Sequence, residues 1–185
     1  MRHFRRGGWM APLLGDRYLD SPPRPFLELA VSDQLRRAGV FTPRVLCAVV
    51  TSARPGYRGD LGTEWLEPGH DLEELLAPNR YPVDVRISAM RAAGALVGRA
   101  HRYGLDHADL NIGNVFVQPS ADGQWRAALL DLDRARIAEP DAARANANLE
   151  RFQRSLKKVR RAGRVTWSRV ELDAFKQAYD EVSGT

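Results

Sequence analysis

An α+β chain in two unequal parts, a small mixed lobe followed by a mainly helical one, is the architecture this sequence predicts. Three observations carry it. The 185 residues exceed the commonest domain length of about 100–150 residues without reaching two full domains, so a single domain is expected over 1–185. Short strand-like runs fall into two hairpin pairs, each preceded by a helical stretch. The longest helical periodicity begins after residue 82.

The elements follow in order. An arginine-rich opening with Arg2, Arg5 and Arg6 leads to Gly7-Gly8, a turn after a short extended piece. Pro22, Pro23 and Pro25 break the chain before a helix expected over 26–38, with Phe26, Leu29, Ala30 and Leu35 as its apolar face and Gly39 as its end. Glu28 rides on this helix. Residues 45–50 and 61–66 read as strands around the Arg54-Pro55-Gly56 turn. Asp71 followed three residues later by Glu74 is a capping-box pattern that starts a short helix, and Pro78 stops it. Val83, Ile87, Met90, Gly94, Val97 and His101 recur at threes and fours, which predicts a long helix closed by Gly104. Residues 115–117 and 127–130 form a second hairpin around Asp122-Gly123, with acidic and amide side chains crowding both its ends. Between residues 144 and 169, nine arginines and lysines face the single acid Glu150. Phe152, Leu156 and Val159 give that basic segment an apolar stripe, either packed on the lobe or laid in a lipid interface.

Composition removes several classes of function. Hydrophobic residues make up 44% and charged residues 28%, ordinary globular usage, so wholesale disorder is excluded. No apolar run approaches the roughly 20 residues of a membrane helix, and the opening lacks the apolar core of a secretory leader. One cysteine, Cys47, cannot form an internal disulfide, which points to a reducing, cytoplasmic compartment. The net charge of +5 favours anionic partners. Nucleic acid is not among them, because the arginines are not interleaved with stacking aromatics. His3, His70 and His101 show no ligand spacing with Cys47, so no zinc site is expected.

The chemistry concentrates in HADLNIGNVFV, from His107 to Val117, and in LLDLD, ending at Asp131-Leu132-Asp133. His107-Ala108-Asp109 with Asn114 five residues after the Asp, and Asp131 at the end of the next strand, resemble the catalytic loop and metal-binding Asp of protein-kinase-like enzymes. Oxygen donors of this kind suit Mg²⁺, which completes its near-octahedral shell with water and nucleotide phosphates. His107 is read as a packed structural histidine, because Asp109 already occupies the base position.

Within that superfamily, the arginine-glycine opening, the helix acid, HADLN and the D-hydrophobic-D sequence followed by Arg resemble the lipopolysaccharide kinase family, the Kdo (3-deoxy-D-manno-octulosonic acid) kinases. The resemblance covers most of the chain, is densest over 101–136 and thins after about residue 165. It implies a bilobal kinase-like fold, with a truncated N-terminal lobe and hinge over 1–66 and a C-terminal lobe over 67–185. It implies ATP and Mg²⁺ as cofactors, a Kdo-lipid A precursor as acceptor, and peripheral work at the cytoplasmic face of an anionic inner membrane. Carried over, Asp109 orients or deprotonates the sugar hydroxyl, and Asn114 and Asp131 hold Mg²⁺. Glu28 matches the helix glutamate that pairs with a basic strand residue, here Arg2. Residues 63–66 fall at the hinge, where Glu64 and Leu66 offer backbone groups to adenine. Asn111 stands where many protein kinases have lysine, and Asp133 replaces the glycine of D-F-G, which argues against a protein substrate. Asp133 itself reads as either a supporting group of the site or a turn cap. No glycine-rich phosphate loop precedes Met1, so the chain is expected to turn over poorly beside a version extended upstream. The alternatives are a kinase for another small molecule or protein, and a catalytically impaired binding protein.

Overall fold

The computed structural model describes residues 1–4 and 16–184, and the turn expected at Gly7-Gly8 lies outside the described residues. Strands β1 (Arg2–His3), β2 (Val45–Ser52) and β3 (Tyr57–Thr63) form an antiparallel sheet in the order β1-β3-β2. Helix α1 (Arg24–Arg37) packs beside it, with a proline in its first turn, where the missing N–H has no helical partner to lose. Phe4, Tyr18, Tyr57 and Leu61 close a small satellite core under the sheet.

Two details of this lobe depart from the sequence expectation. The strand expected at 61–66 begins at Tyr57 and ends at Thr63. Its inward residues Tyr57, Gly59 and Leu61 alternate with Arg58 and Asp60, so charge and glycine hide it from a search for apolar runs. The buried face of α1 is Glu28, Val31, Ser32 and Leu35, whereas Phe26 is 45% and Leu29 38% exposed. A face that buries a carboxylate and a hydroxyl is invisible to hydrophobic periodicity alone.

The second lobe runs β4 (His70–Asp71), α2 (Leu72–Leu75), α3 (Val83–Arg102), β5 (Leu105–His107), a 3-10 turn (Ile112–Asn114), β6 (Val115–Pro119), β7 (Trp125–Leu129), β8 (Ala135–Ile137), α4 (Ala142–Arg161) and α5 (Arg169–Ser183). Its small antiparallel sheets are β4-β6-β7 and β5-β8. Only half of the expected capping box forms at α2. The Asp71 carboxylate accepts the Glu74 N–H at 2.8 Å, while the Glu74 carboxylate is taken by His70 Nδ1 at 2.9 Å.

α3 is the spine. Met90, Ala93, Leu96, Val97 and Ala100 are buried on it, although Val83, at the start of the predicted stripe, is exposed. Gly94 of that stripe and Gly98, one turn on, are glycine where α5 crosses at backbone contact. A Cβ on Gly94 would meet the Phe175 carbonyl oxygen at 2.1 Å, and one on Gly98 the Tyr179 carbonyl oxygen at 2.7 Å. Gly104 ends the helix with φ +90°, a left-handed conformation that costs glycine little. The main core runs from Val31 and Leu35 of α1 through α3, β6 and β7 to Phe152 and Phe175. Phe152, Leu156 and Val159 are 3%, 3% and 4% exposed, so the stripe of α4 packs on the lobe. Of the two placements open from sequence, packing on the lobe is the one found, and the cations stay outside.

Candidate active site

The loop residues owe their positions to local rules. After β5 the chain turns at His107, which is fully buried, with its Nε2 3.4 Å from the Leu130 carbonyl. Its Nδ1 accepts the Asp109 N–H at 3.3 Å. Burial pushes the His107 ring below its usual pKa, which suits a neutral ring used as scaffolding, as the sequence indicates. The loop then folds on its own amides. Asn111 Oδ1 accepts the Gly113 N–H at 2.9 Å, and Asn111 Nδ2 donates to the Asp109 carbonyl at 3.0 Å. Asn111 is therefore an Asx-type cap of the 3-10 turn. Asn114 Nδ2 donates to the same carbonyl at 2.9 Å, which leaves its Oδ1 for another partner. The Asp109 side chain stays exposed.

The next strand returns beside this loop. Leu130 N–H donates to the Asn114 carbonyl at 2.8 Å, so β6 and β7 bring Asn114 and Asp131 together. Asp131 takes φ +50°, a left-handed backbone at which Asp is among the more tolerant residues. Across the cleft, one arginine joins the two lobes: Arg2 Nη2 pairs with Glu28 Oε2 and Arg2 Nη1 with Asp131 Oδ1. Burial raises the Glu28 carboxyl to about 7, against the pull of Arg2. The partner chosen for Glu28 from sequence is thus the residue that meets it.

These groups line one cleft of about 410 Å³, together with Thr63, Glu64, Trp65 and Leu66 at its far end. The Glu64 carboxylate is occupied by the Arg44 N–H at 2.7 Å, and the Glu64 N–H donates to the Arg44 carbonyl at 2.9 Å. Among the described residues no hydrogen bond takes the Glu64 carbonyl or the Leu66 N–H. At Glu64 and Leu66 the groups left open are those of the backbone. Sequence reasoning missed Ser32, Thr42 and Pro43, which also line the cleft. Thr42 and Pro43 lie in a connection whose approach depends on tertiary folding, so no local pattern marks them. Asp133, left open between a supporting group and a turn cap, pairs with Arg24 of α1 at 3.2 Å.

The donor set fits a hard cation better than a soft one. No group of three or more His, Cys, Asp or Glu side chains able to hold a metal occurs among the described residues. One carboxylate (Asp131) and one amide oxygen (Asn114) suit an ion that keeps several waters and takes its remaining ligands from phosphates.

A two-lobed fold with a hinge-backed cleft, an exposed carboxylate on the loop before it and an amide–carboxylate pair at its floor defines a protein-kinase-like phosphotransferase. A sequence model of the lipopolysaccharide kinase (Kdo/WaaP) family matches residues 1–179, and the chain belongs to that family. It is 30% identical over 183 residues to the 3-deoxy-D-manno-octulosonic acid kinase of Vibrio vulnificus (strain YJ016), covering 97% of this chain and 74% of that protein. Its identity to the enzyme of the same name from Stenotrophomonas maltophilia (strain K279a) is 33% over 183 residues, covering 97% and 70%. The solved structure of WaaP in complex with acyl carrier protein superposes with a TM-score of 0.66 at 22% identity, covering 84% of this chain and 65% of that one. The bilobal α+β fold expected from sequence is the fold found.

Proposed function

We propose that this chain transfers the γ-phosphoryl group of ATP to a hydroxyl of Kdo carried on a lipid A precursor, with Mg²⁺ as its metal. Family membership and the relatives' shared name make it a kinase acting on Kdo in lipopolysaccharide core biosynthesis. The observation that carries the finer reading is the convergence of Arg2, Glu28, Asn114 and Asp131 on one cleft, beside the loop that bears Asp109.

Adenine takes its place against the Glu64 carbonyl and the Leu66 N–H, while Arg2, held by Glu28, faces the phosphates. Asp109 receives the acceptor hydroxyl, orients it in line with the γ-phosphorus and takes its proton. The new bond joins sugar oxygen to phosphorus, the bond to the bridging oxygen of ADP breaks, and ADP leaves. Such catalysis is mostly positioning and charge stabilisation. Asn114 and Asp131 would hold Mg²⁺, which when bound neutralises the phosphate oxygens. Incubating the chain with γ-labelled ATP and a panel of Kdo-lipid A precursor, free sugars and protein tests the acceptor. Label on the Kdo-lipid alone is expected, and preferential labelling of any other acceptor would overturn it.

Asp131→Asn is expected to raise the Mg²⁺ concentration needed for half-maximal ATP binding by about tenfold or more, because one ligand loses its charge. A metal titration followed by calorimetry checks this, and a curve identical to that of the parent would remove Asp131 from the metal.

We place the enzyme at the cytoplasmic face of the inner membrane as a peripheral protein. No helix among the described residues is long and apolar enough to cross a membrane. All four exposed cations of α4, Lys157, Lys158, Arg160 and Arg161, can meet anionic lipid while Phe152, Leu156 and Val159 are buried in the core, although the Arg160 guanidinium also lies 4.5 Å from the centre of the Trp167 ring. Each near-surface charge contributes about 1 kcal/mol, screened over about 8 Å at physiological salt. Sedimentation with anionic vesicles should therefore fall steeply with salt and weaken about tenfold or more when all four become Gln. Unchanged sedimentation of that variant at low salt would leave α4 a soluble helix.

A further inference from the structure

Asp133 and Arg24 are used by none of the steps above, yet they tie the two lobes together. Arg24 is the first residue of α1, an end where a cation opposes the helix dipole. Four contacts accompany it there. Its backbone N–H donates to Tyr57 Oη at 2.9 Å. Its Nε donates to Asp20 Oδ2 at 2.8 Å. Its Nη1 reaches Asp133 Oδ2 at 3.2 Å, and its guanidinium lies 4.5 Å from the centre of the Tyr18 ring. Arg24 and Asp133 are 19% and 27% exposed, so the pair is shielded more than a surface ion pair.

The segment it grips is under backbone strain. Asp131 (φ +50°) and Arg134 (φ +64°) both occupy the left-handed region without being glycine, a conformation that persists only when its surroundings over-determine it. Asp133 sits between them, and its N–H points at Asp131 Oδ1 at 3.4 Å. One turn along α1 from Arg24, Glu28 reaches the same segment through Arg2 and Asp131. The helix thus holds the segment at both ends, through Arg2 to Asp131 and directly from Arg24 to Asp133.

We propose that Arg24 and Asp133 are positioning residues: their ion pair fixes the 131–134 turn against α1 and so holds the Asp131 carboxylate where Mg²⁺-ATP is received. The proposal rests on the site reading given above.

Binding of a non-hydrolysable ATP analogue, measured by calorimetry across a Mg²⁺ titration, tests it without turnover. Asp133→Asn and Arg24→Gln are each expected to raise the half-saturating Mg²⁺ about fivefold, the scale of one partly shielded ion pair. The double variant should be no worse than either single, and Arg24→Lys, which keeps the charge, should recover most of the loss. Melting curves on the same samples identify any variant that fails to fold. If Arg24→Gln is one, Asp133→Asn and Arg24→Lys carry the test. Additive losses in the double variant, or singles that bind like the parent, would overturn the clamp and leave the site reading standing. Failure of the parent chain to bind the analogue at any Mg²⁺ concentration would instead overturn the site reading, and the clamp with it.

Discussion

Asp109→Asn is expected to reduce phosphoryl transfer to Kdo by about a hundredfold to ten-thousandfold, the usual contribution of a positioned proton acceptor, while leaving the melting temperature unchanged. The argument is geometric first. The carboxylate is exposed, and the structure below it is built by the Asp109 backbone. Its carbonyl accepts from Asn111 and Asn114 at 3.0 and 2.9 Å, and its N–H donates to His107 at 3.3 Å. Substitution by Asn preserves all three bonds and the side-chain shape, so loop and cleft stay as they are. What disappears is the anion proposed to accept the hydroxyl proton. Nucleotide affinity should hardly move, because Asp109 does not line the cleft proposed for the nucleotide. The measurement is kcat with Kdo-lipid A precursor alongside the Kd for an ATP analogue. A variant that keeps its kcat would remove Asp109 from the reaction, and one that loses nucleotide binding would make its role structural.

How much of this was legible in the sequence follows from the range of the interactions. The HADLNIGN loop is written locally: Asn111 bonds to residues 109 and 113, and Asn114 to residue 109, so spacing alone carries its geometry. α3 is legible for the same reason, since one face of its periodic stripe meets one core. The Glu28–Arg2 pair joins residues 26 apart and was reached through resemblance, not through pattern. α1 lies where the pattern puts it and Leu35 is buried as expected, but Phe26 and Leu29 are exposed because the buried face also carries the Glu28 ion pair and Ser32. β3 was shifted because Gly59 and two charges interrupt its apolar alternation. The grip of Arg24 on Asp133 spans 109 positions and leaves no local trace beyond a cation at the wrong end of a helix. The Ser168-x-x-Glu171 capping-box pattern is equally local, and its glutamate half forms, with the Glu171 carboxylate accepting the Ser168 N–H.

Glu171 does more than cap α5, and the second large effect is expected there: Glu171→Ala should destabilise the chain by about 3–5 kcal/mol, the cost of stranding a buried charge. Glu171 is 1% and Arg86 7% exposed. Glu171 Oε1 lies 2.6 Å from Arg86 Nε as an ion pair, without the alignment of a good hydrogen bond. Its other oxygen accepts the Ser168 N–H, and Arg86 Nη2 donates to the Thr166 carbonyl. One carboxylate therefore fixes the start of α5, the connection before it and the first turns of α3. Removing it leaves the Arg86 guanidinium in the core with the Thr166 contacts alone, and the Ser168 N–H without its acceptor. Against a total of about 5–15 kcal/mol for a domain, the loss is large, and at roughly 2–4 °C per kcal/mol for this size the melting temperature should drop by about 10 °C. The double variant Arg86→Met with Glu171→Leu separates buried-charge cost from packing. With both charges gone nothing is stranded, and it should melt well above the single variant. If the two melt together, the pair is not what holds α3 to α5, and the close crossing at Gly94 and Gly98 carries that junction by itself.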